Sequence, residues 1–291
     1  MTLPLLLSLT AAIVYAAAVL LVKRAAELGA GVWRTAFVAT MTVAVAFQPL
    51  LLLGGTWRPD LWWQPVAAAA CFVAGQWFTF LSLETGDVSV ATPVLGIKIL
   101  LVAVLATLLA GDELRWQLWV AAVLATAAVA LLNRRSGTGA HHAVGRTIGL
   151  AGIAALAYAL FDVLVQKWSP AWGVGRFLPA TLAAAGVFSL VFVARFRAPL
   201  SALPRAAWPW LIGAVLALAL QSLLFVTTIA QWGQVAAANV MFSSRGLWSV
   251  LFVWLLGHWV RSREQQLGAG VLGGRLAGAT LMLSAIALVL L

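Results

Sequence analysis

The sequence predicts an all-α membrane protein of ten transmembrane helices, arranged as two inverted five-helix repeats. Three observations lead there. The 291 residues are 64% hydrophobic and 9% charged, with a mean hydropathy of +1.03, whereas soluble domains are about half apolar and about a quarter charged. Ten apolar stretches recur, each near the ~20 residues that a helix needs to cross a bilayer. The five stretches before the midpoint also resemble the five after it.

The stretches are 3–22, 32–53, 64–84, 88–110, 116–133, 147–167, 175–195, 208–231, 235–257 and 270–291. The first lacks the basic start of a signal peptide and exceeds the usual ~7–15 apolar residues, so it is read as a span. All ten are read as helices, because backbone polar groups inside lipid must be paired within their own segment and no stretch alternates with period two. Tryptophan marks the ends: Trp33, Trp57, Trp62, Trp63, Trp116, Trp119, Trp168, Trp172, Trp208, Trp210, Trp232 and Trp259 fall near segment termini, where an amphipathic ring prefers the membrane interface. The longest polar connection, Asn133 to Arg146, separates a first repeat (1–135) from a second (147–291), with 136–146 as the connecting loop.

The repeat is legible in the residues. Ala11-Ala12-Ile13-Val14-Tyr15-Ala16 matches Ala154-Ala155-Leu156-Ala157-Tyr158-Ala159, and Leu21-Val22-Lys23-Arg24 matches Leu164-Val165-Gln166-Lys167 at the same spacing. Gly86-Asp87-Val88 matches Gly233-Gln234-Val235, and a shift of 147 carries Lys98 onto Arg245. An odd number of spans per half turns the second copy upside down relative to the first, as in many secondary transporters.

The net charge of +10 is spread through short gaps between apolar runs, without the stripe that a nucleic-acid partner would require. The basic residues therefore read as orientation signals in a lipid bilayer. Lys23, Arg24, Arg134, Arg135, Arg146, Arg195, Arg197, Arg205, Arg261 and Arg263 lie on one side against Arg58, Arg115, Lys167 and Arg176 on the other, which places both termini outside. The lone Cys71 reads as a small buried residue. His141, His142 and His258 show no metal-ligand spacing, and no nucleophile-turn motif occurs, so neither a cofactor nor a metal nor an enzyme is expected. The expected location is a bacterial inner (cytoplasmic) membrane, as a multi-pass protein.

The stretch Glu84-Thr85-Gly86-Asp87, Ala91-Thr92-Pro93-Val94 and Ala110-Gly111-Asp112-Glu113-Leu114 resembles the signature of EamA-like proteins of the drug/metabolite transporter superfamily. Arg34, opening the second helix, resembles an arginine common there. The resemblance implies a ten-helix transporter with both termini in the cytoplasm, in conflict with the loop charges. The second half departs from the pattern: Asn239-Val240 stands near the proline position and Gly257-His258 replaces the Gly-Glu pair. Plastid phosphate translocators, in the same superfamily, use basic residues on the corresponding helices for phosphorylated metabolites.

Lys98 and Arg245 carry the most information. Each lies ten residues into its stretch, near the midplane, where even lenient scales charge about 2.5–3.5 kcal/mol per ion. Two readings fit: the pair binds an anionic substrate group, or it forms structural salt bridges to Asp162 or Glu84, the candidate coupling or counter-ion carboxylates. Asn239 and Ser243 share one helical face, and Ser244 and Trp248 another beside Arg245. Gln76, Trp77, Gln221, Tyr15 and Tyr158 are further polar or aromatic groups within apolar runs, open to ligand contact or interhelical packing. Pro93 removes a backbone donor five residues before Lys98 and is the candidate hinge. Gly270, Gly274 and Gly278, at four-residue steps, make either a homodimer seam or packing within one monomer.

The expected function is a secondary transporter moving a small-molecule substrate by alternating access, an organic anion or phosphorylated metabolite bound by Lys98 and Arg245. The alternatives are an exporter of neutral or zwitterionic metabolites (amino acids, drugs), and a non-transport membrane protein such as an intramembrane enzyme or a lipid scramblase.

Overall fold

A computed structural model describes residues 3–85, 88–132, 144–256 and 269–291. Among them no strand occurs, and the long elements are α1 (Leu3–Glu27), α2 (Val32–Ala46), α3 (Trp63–Thr85), α4 (Val88–Gly96), α5 (Lys98–Leu105), α6 (Trp116–Leu132), α7 (Val144–Trp172), α8 (Val174–Phe188), α9 (Trp208–Trp232), α10 (Val235–Ser243), α11 (Arg245–Leu256) and α12 (Ala269–Leu290). Helices are what this composition dictates, since each satisfies its own backbone donors and acceptors in an apolar surround.

Seven helical stretches among the described residues are long and apolar enough to cross a membrane: Leu3–Glu27, Val32–Leu53, Pro59–Glu84, Val90–Ala110, Val144–Trp172, Val174–Arg195 and Arg205–Trp232. Of the other three expected stretches, Trp116–Leu132 and Ala277–Leu290 are shorter apolar helices, and 235–256 is divided into α10 and α11. Within the expected connecting loop 136–146, residues 136–143 lie outside the described residues, and 144–146 already belong to the first turn of α7. Gly86, Asp87, Gly257, His258, His141 and His142 also lie outside them.

The packing follows an exchange rule. α1 lies along α9 and α3 along α7; α2 packs on α9 and α8 on α3. The 3₁₀ turn that follows α2 (Gln48–Leu53) packs on α8, and the one that follows α8 (Ser189–Arg195) packs on α2. α6 and α12 pack on each other. These contacts between halves thus each have a counterpart with the halves exchanged. Backbone geometry repeats too: α2 and α8 open from glycines at φ 71°, ψ 144° (Gly31) and φ 75°, ψ 147° (Gly173), a region that a side chain rarely adopts.

Two tryptophans expected at the interface are buried instead. Trp33 is 4% and Trp172 is 3% exposed, and their indole N–H groups donate to Glu84 Oε1 (2.7 Å) and Gln64 Oε1 (3.0 Å). A ring with a polar partner inside the protein has no need of the interface to satisfy its donor. Trp57, Trp62, Trp116 and Trp232 are exposed as expected. Arg34 hydrogen-bonds the carbonyls of Gly29, Ala30 and Pro199, so it fastens the α1–α2 turn to the segment after α8. Gly278 is buried against α6, where an added Cβ would lie 2.9 Å from Leu132 Cγ and 3.0 Å from Ala128 O; Gly274 faces Leu131 O of the same helix at 4.0 Å from its Cβ position.

Candidate functional site

The site is built on two broken helices. The first breaks at Ile97, whose N–H donates to Val94 O (3.1 Å); the second breaks at Ser244, whose N–H donates to Met241 O (3.2 Å). Both are tight three-residue closures, with φ/ψ of −60°/−20° and −58°/−14°. In each case the next residue is the half-buried cation, so Lys98 opens α5 and Arg245 opens α11. The register of 147 read from the sequence therefore holds for the break as well as for the charge. Pro93 sits inside α4, four residues before its break. The second break arises with Val240 at the corresponding position, so proline is not what makes it.

The two cations then diverge. Lys98 Nζ lies 2.7 Å from Asp162 Oδ2 on α7, with side-chain exposures of 14% and 3%. Asn239 Nδ2 on α10 donates to the same carboxylate oxygen at 2.8 Å and to Val235 O at 3.0 Å. Asp162 is thus a buried carboxylate that meets an ammonium and an amide donor, and so is compensated. Arg245 meets no carboxylate at ion-pair distance among the described residues. Its guanidinium carbon stands 4.9 Å from the Tyr15 ring centroid and 4.6 Å from that of Phe242, and such faces stabilise a desolvated cation by about 2 kcal/mol.

The matched tyrosines are exchanged between halves. Lys98 of the first half lies over Tyr158 of the second (5.8 Å) and over Phe225 (5.6 Å), while Arg245 of the second half lies over Tyr15 of the first. Phe225 and Phe242 stack at 4.3 Å, joining the ring against Lys98 to the ring against Arg245. Gly75 makes the room for Tyr158, since a Cβ there would come within 2.8 Å of its ring. Ser244 Oγ and Trp248 Nε1 are buried and make no hydrogen bond among the described residues. With Arg245 they occupy one arc of about 100° on α11.

The remaining predicted residues separate from this centre. Glu84 is not a partner of either cation: it binds Trp33 Nε1, Arg195 (3.1 Å) and, more distantly, Arg197 (4.0 Å) at the end of α3. Trp77 stacks on Phe192 (6.2 Å, 15°) and lies tilted against Trp33 (4.9 Å, 53°), beneath Arg195. Gln76 Oε1 accepts from Thr40 Oγ1 at 2.9 Å. Ser243 turns away from Asn239 to Met282 of α12, at 3.2 Å from its sulfur. Asn239 and Ser243 both remain in α10, and it is their side-chain partners that differ.

Sequence reasoning missed Phe225, Phe242 and Gln166. Phenylalanines in apolar runs carry no signal. Gln166, one turn beyond Asp162, donates to Asp112 Oδ2 (2.7 Å) and accepts from the Val235 N–H (2.8 Å), which caps the start of α10; its place at the very end of the stretch 147–167 gave it no signal of its own.

Comparison with known proteins agrees with this architecture. A solved protein, described only as a crystal structure, superposes with a TM-score of 0.77 at 18% identity, covering 99% of this chain and 98% of its own. Twenty-seven chains of solved structures match. Identity this low speaks to the fold alone. The comparison with curated proteins finds no match. The model of the EamA-like transporter family matches residues 2–134, the half that contains Pro93, Lys98 and the Gly111-Asp112-Glu113 stretch. Over residues 2–134 the chain is similar to the EamA-like transporter family.

Proposed function

We propose that the chain is a secondary transporter of ten spans in two inverted repeats, 1–135 and 147–291, that moves a small organic anion by alternating access. The similarity of residues 2–134 to a transporter family supports the class. The exchange rule in the packing, the paired breaks and the crossed cation–tyrosine contacts support the inverted repeat, an architecture whose solute site lies at the repeat interface near the midplane. Loop charges are of the kind that orients a helical protein in a bacterial inner membrane.

One observation carries the substrate class. Arg245, Ser244 and Trp248 present hydrogen-bond donors on one arc of a broken membrane helix, with no acceptor among the described residues for two of them and no carboxylate for the third. A guanidinium is a planar fork that suits carboxylate or phosphate. Lys98, Asp162, Asn239, Tyr15 and Tyr158 complete the surround. Gln76, Trp77 and Glu84 are left as an end-of-helix cluster that the solute passes.

The test is counterflow in proteoliposomes of the purified chain, preloaded with pyruvate, malate, glycerol phosphate or glutamine. Trans-stimulated uptake of a labelled organic anion, reduced at least about tenfold by Arg245→Met, is expected, since a lost charged hydrogen-bond pair costs ~1.5–3 kcal/mol. Uptake of glutamine alone, or anion uptake that ignores Arg245→Met, overturns the reading.

A further inference from the structure

Resting on the anion reading above, we infer that the central site selects a singly charged organic anion, because Asp162 has already taken Lys98 out of the count of available positive charge.

The chain has eight acidic residues: Glu27, Asp60, Glu84, Asp87, Asp112, Glu113, Asp162 and Glu264. Seven of them flank the ends of apolar stretches, and Asp162 alone lies within one. Against it stand two cations at broken-helix midpoints, Lys98 and Arg245. The Lys98–Asp162 contact of 2.7 Å, with Asn239 on the same oxygen, makes that pair neutral. A net charge of +1 remains, on Arg245, in contact with two aromatic faces that attract the cation without neutralising it. Buried charge is tolerated where it is paired, so one negative charge balances the pocket. A second would be left as an unpaired anion in a low-dielectric surround.

The geometry separates the two ends of such a ligand. A carboxylate meets Arg245 in bidentate fashion and leaves its remaining lone pairs for the Ser244 hydroxyl, one residue before it, and the Trp248 indole N–H, three residues after it. The rest of the ligand then lies toward Tyr15, Phe242 and Phe225, which are flat and apolar. A monocarboxylate with a small apolar or aromatic body fits this division. A dianionic phosphate monoester would need Lys98 as its second cation, at the expense of the Asp162 pair.

Binding is measured by calorimetry on the full-length detergent-solubilised chain, with pyruvate and benzoate as monoanions, malate and glycerol 3-phosphate as dianions, and glutamine as zwitterion. The parent is expected to bind a monoanion about tenfold or more tightly than either dianion, the factor that corresponds to ~1.4 kcal/mol. Lys98→Met/Asp162→Leu, which removes the two charges of a neutral pair together, should keep the monoanion ahead of the dianions whatever the altered wall of the site does to affinity. Arg245→Met should abolish monoanion binding. Asp162→Asn, which sets Lys98 free, should move the preference toward the dianions, and it keeps the inference testable if the double variant fails to fold. A parent that prefers dianions, or a double variant that loses monoanions while Arg245→Met retains them, overturns this inference and leaves the anion reading standing. Binding of glutamine alone, or of no ligand in the panel, overturns both.

Discussion

The fourth and ninth expected spans use one backbone device for two electrostatic ends. Both break after a three-residue closure, at Ile97 and at Ser244, and both place a cation on the first residue after the break. In the first, the charge is met by Asp162 and held as a closed pair. In the second, it is met by Tyr15 and Phe242, with unbonded donors beside it. The difference teaches that the repeat copies geometry more strictly than chemistry. Each break sets a cation at the start of the next helix; one half pairs it with a carboxylate and the other lays it against aromatic rings, where, on the proposal above, a solute anion meets it.

The strongest way to break this comparison is to remove Asp162 alone. Asp162→Ala strips Lys98 and Asn239 of their shared acceptor and should cost about 3–5 kcal/mol, whereas Lys98→Met/Asp162→Leu should be neutral or stabilising; denaturation in detergent reads both. If the two variants are equally damaged, the pair is not a self-contained unit. Next in size is Gly75→Ala. Its Cβ would sit 2.8 Å from Tyr158, so overpacking should cost about 1–3 kcal/mol and push the ring beneath Lys98.

Arg245→Met should move stability the other way. It removes a membrane cation priced at about 2.5–3.5 kcal/mol and forfeits about 2 kcal/mol of ring contact, for a net gain near 1 kcal/mol by thermal unfolding. A loss of several kcal/mol instead would mean that Arg245 is paired as firmly as Lys98. The smallest effect is expected at the end-of-helix cluster. Arg195 is 42% exposed, so Glu84→Gln should change stability by ~0–1 kcal/mol through that ion pair, with a further loss only through the Trp33 bond.

Much of this comparison was legible in the sequence, and its gaps have physical causes. A charge inside an apolar run is expensive enough to be rare, so Lys98, Arg245 and Asp162 declared themselves, as did the register that relates the first two. The break was half legible: Pro93 advertised it in one half, but Ser244 does the same work with no residue that forbids a helix. Glu84 was read as a counter-ion for the midplane because its sequence position cannot say that Trp33 and Arg195 reach it first. Trp33 and Trp172 looked interfacial because a ring near a helix end usually is. The aromatic bridge Phe225–Phe242 could not be found, since phenylalanine in a lipid-facing run and phenylalanine under a cation are the same letter.

The most direct test of the central claim is chemical. Neutral arginine reagents of the dicarbonyl type, applied to the folded protein in membranes and read by mass spectrometry, report whether the guanidinium of Arg245 is reachable from water. Modification of Arg245 that is suppressed by excess monocarboxylate, while the 92%-exposed Arg197 stays reactive throughout, is the predicted result. An Arg245 that remains unmodified while Arg197 reacts, or whose modification is indifferent to every organic anion, would contradict the account.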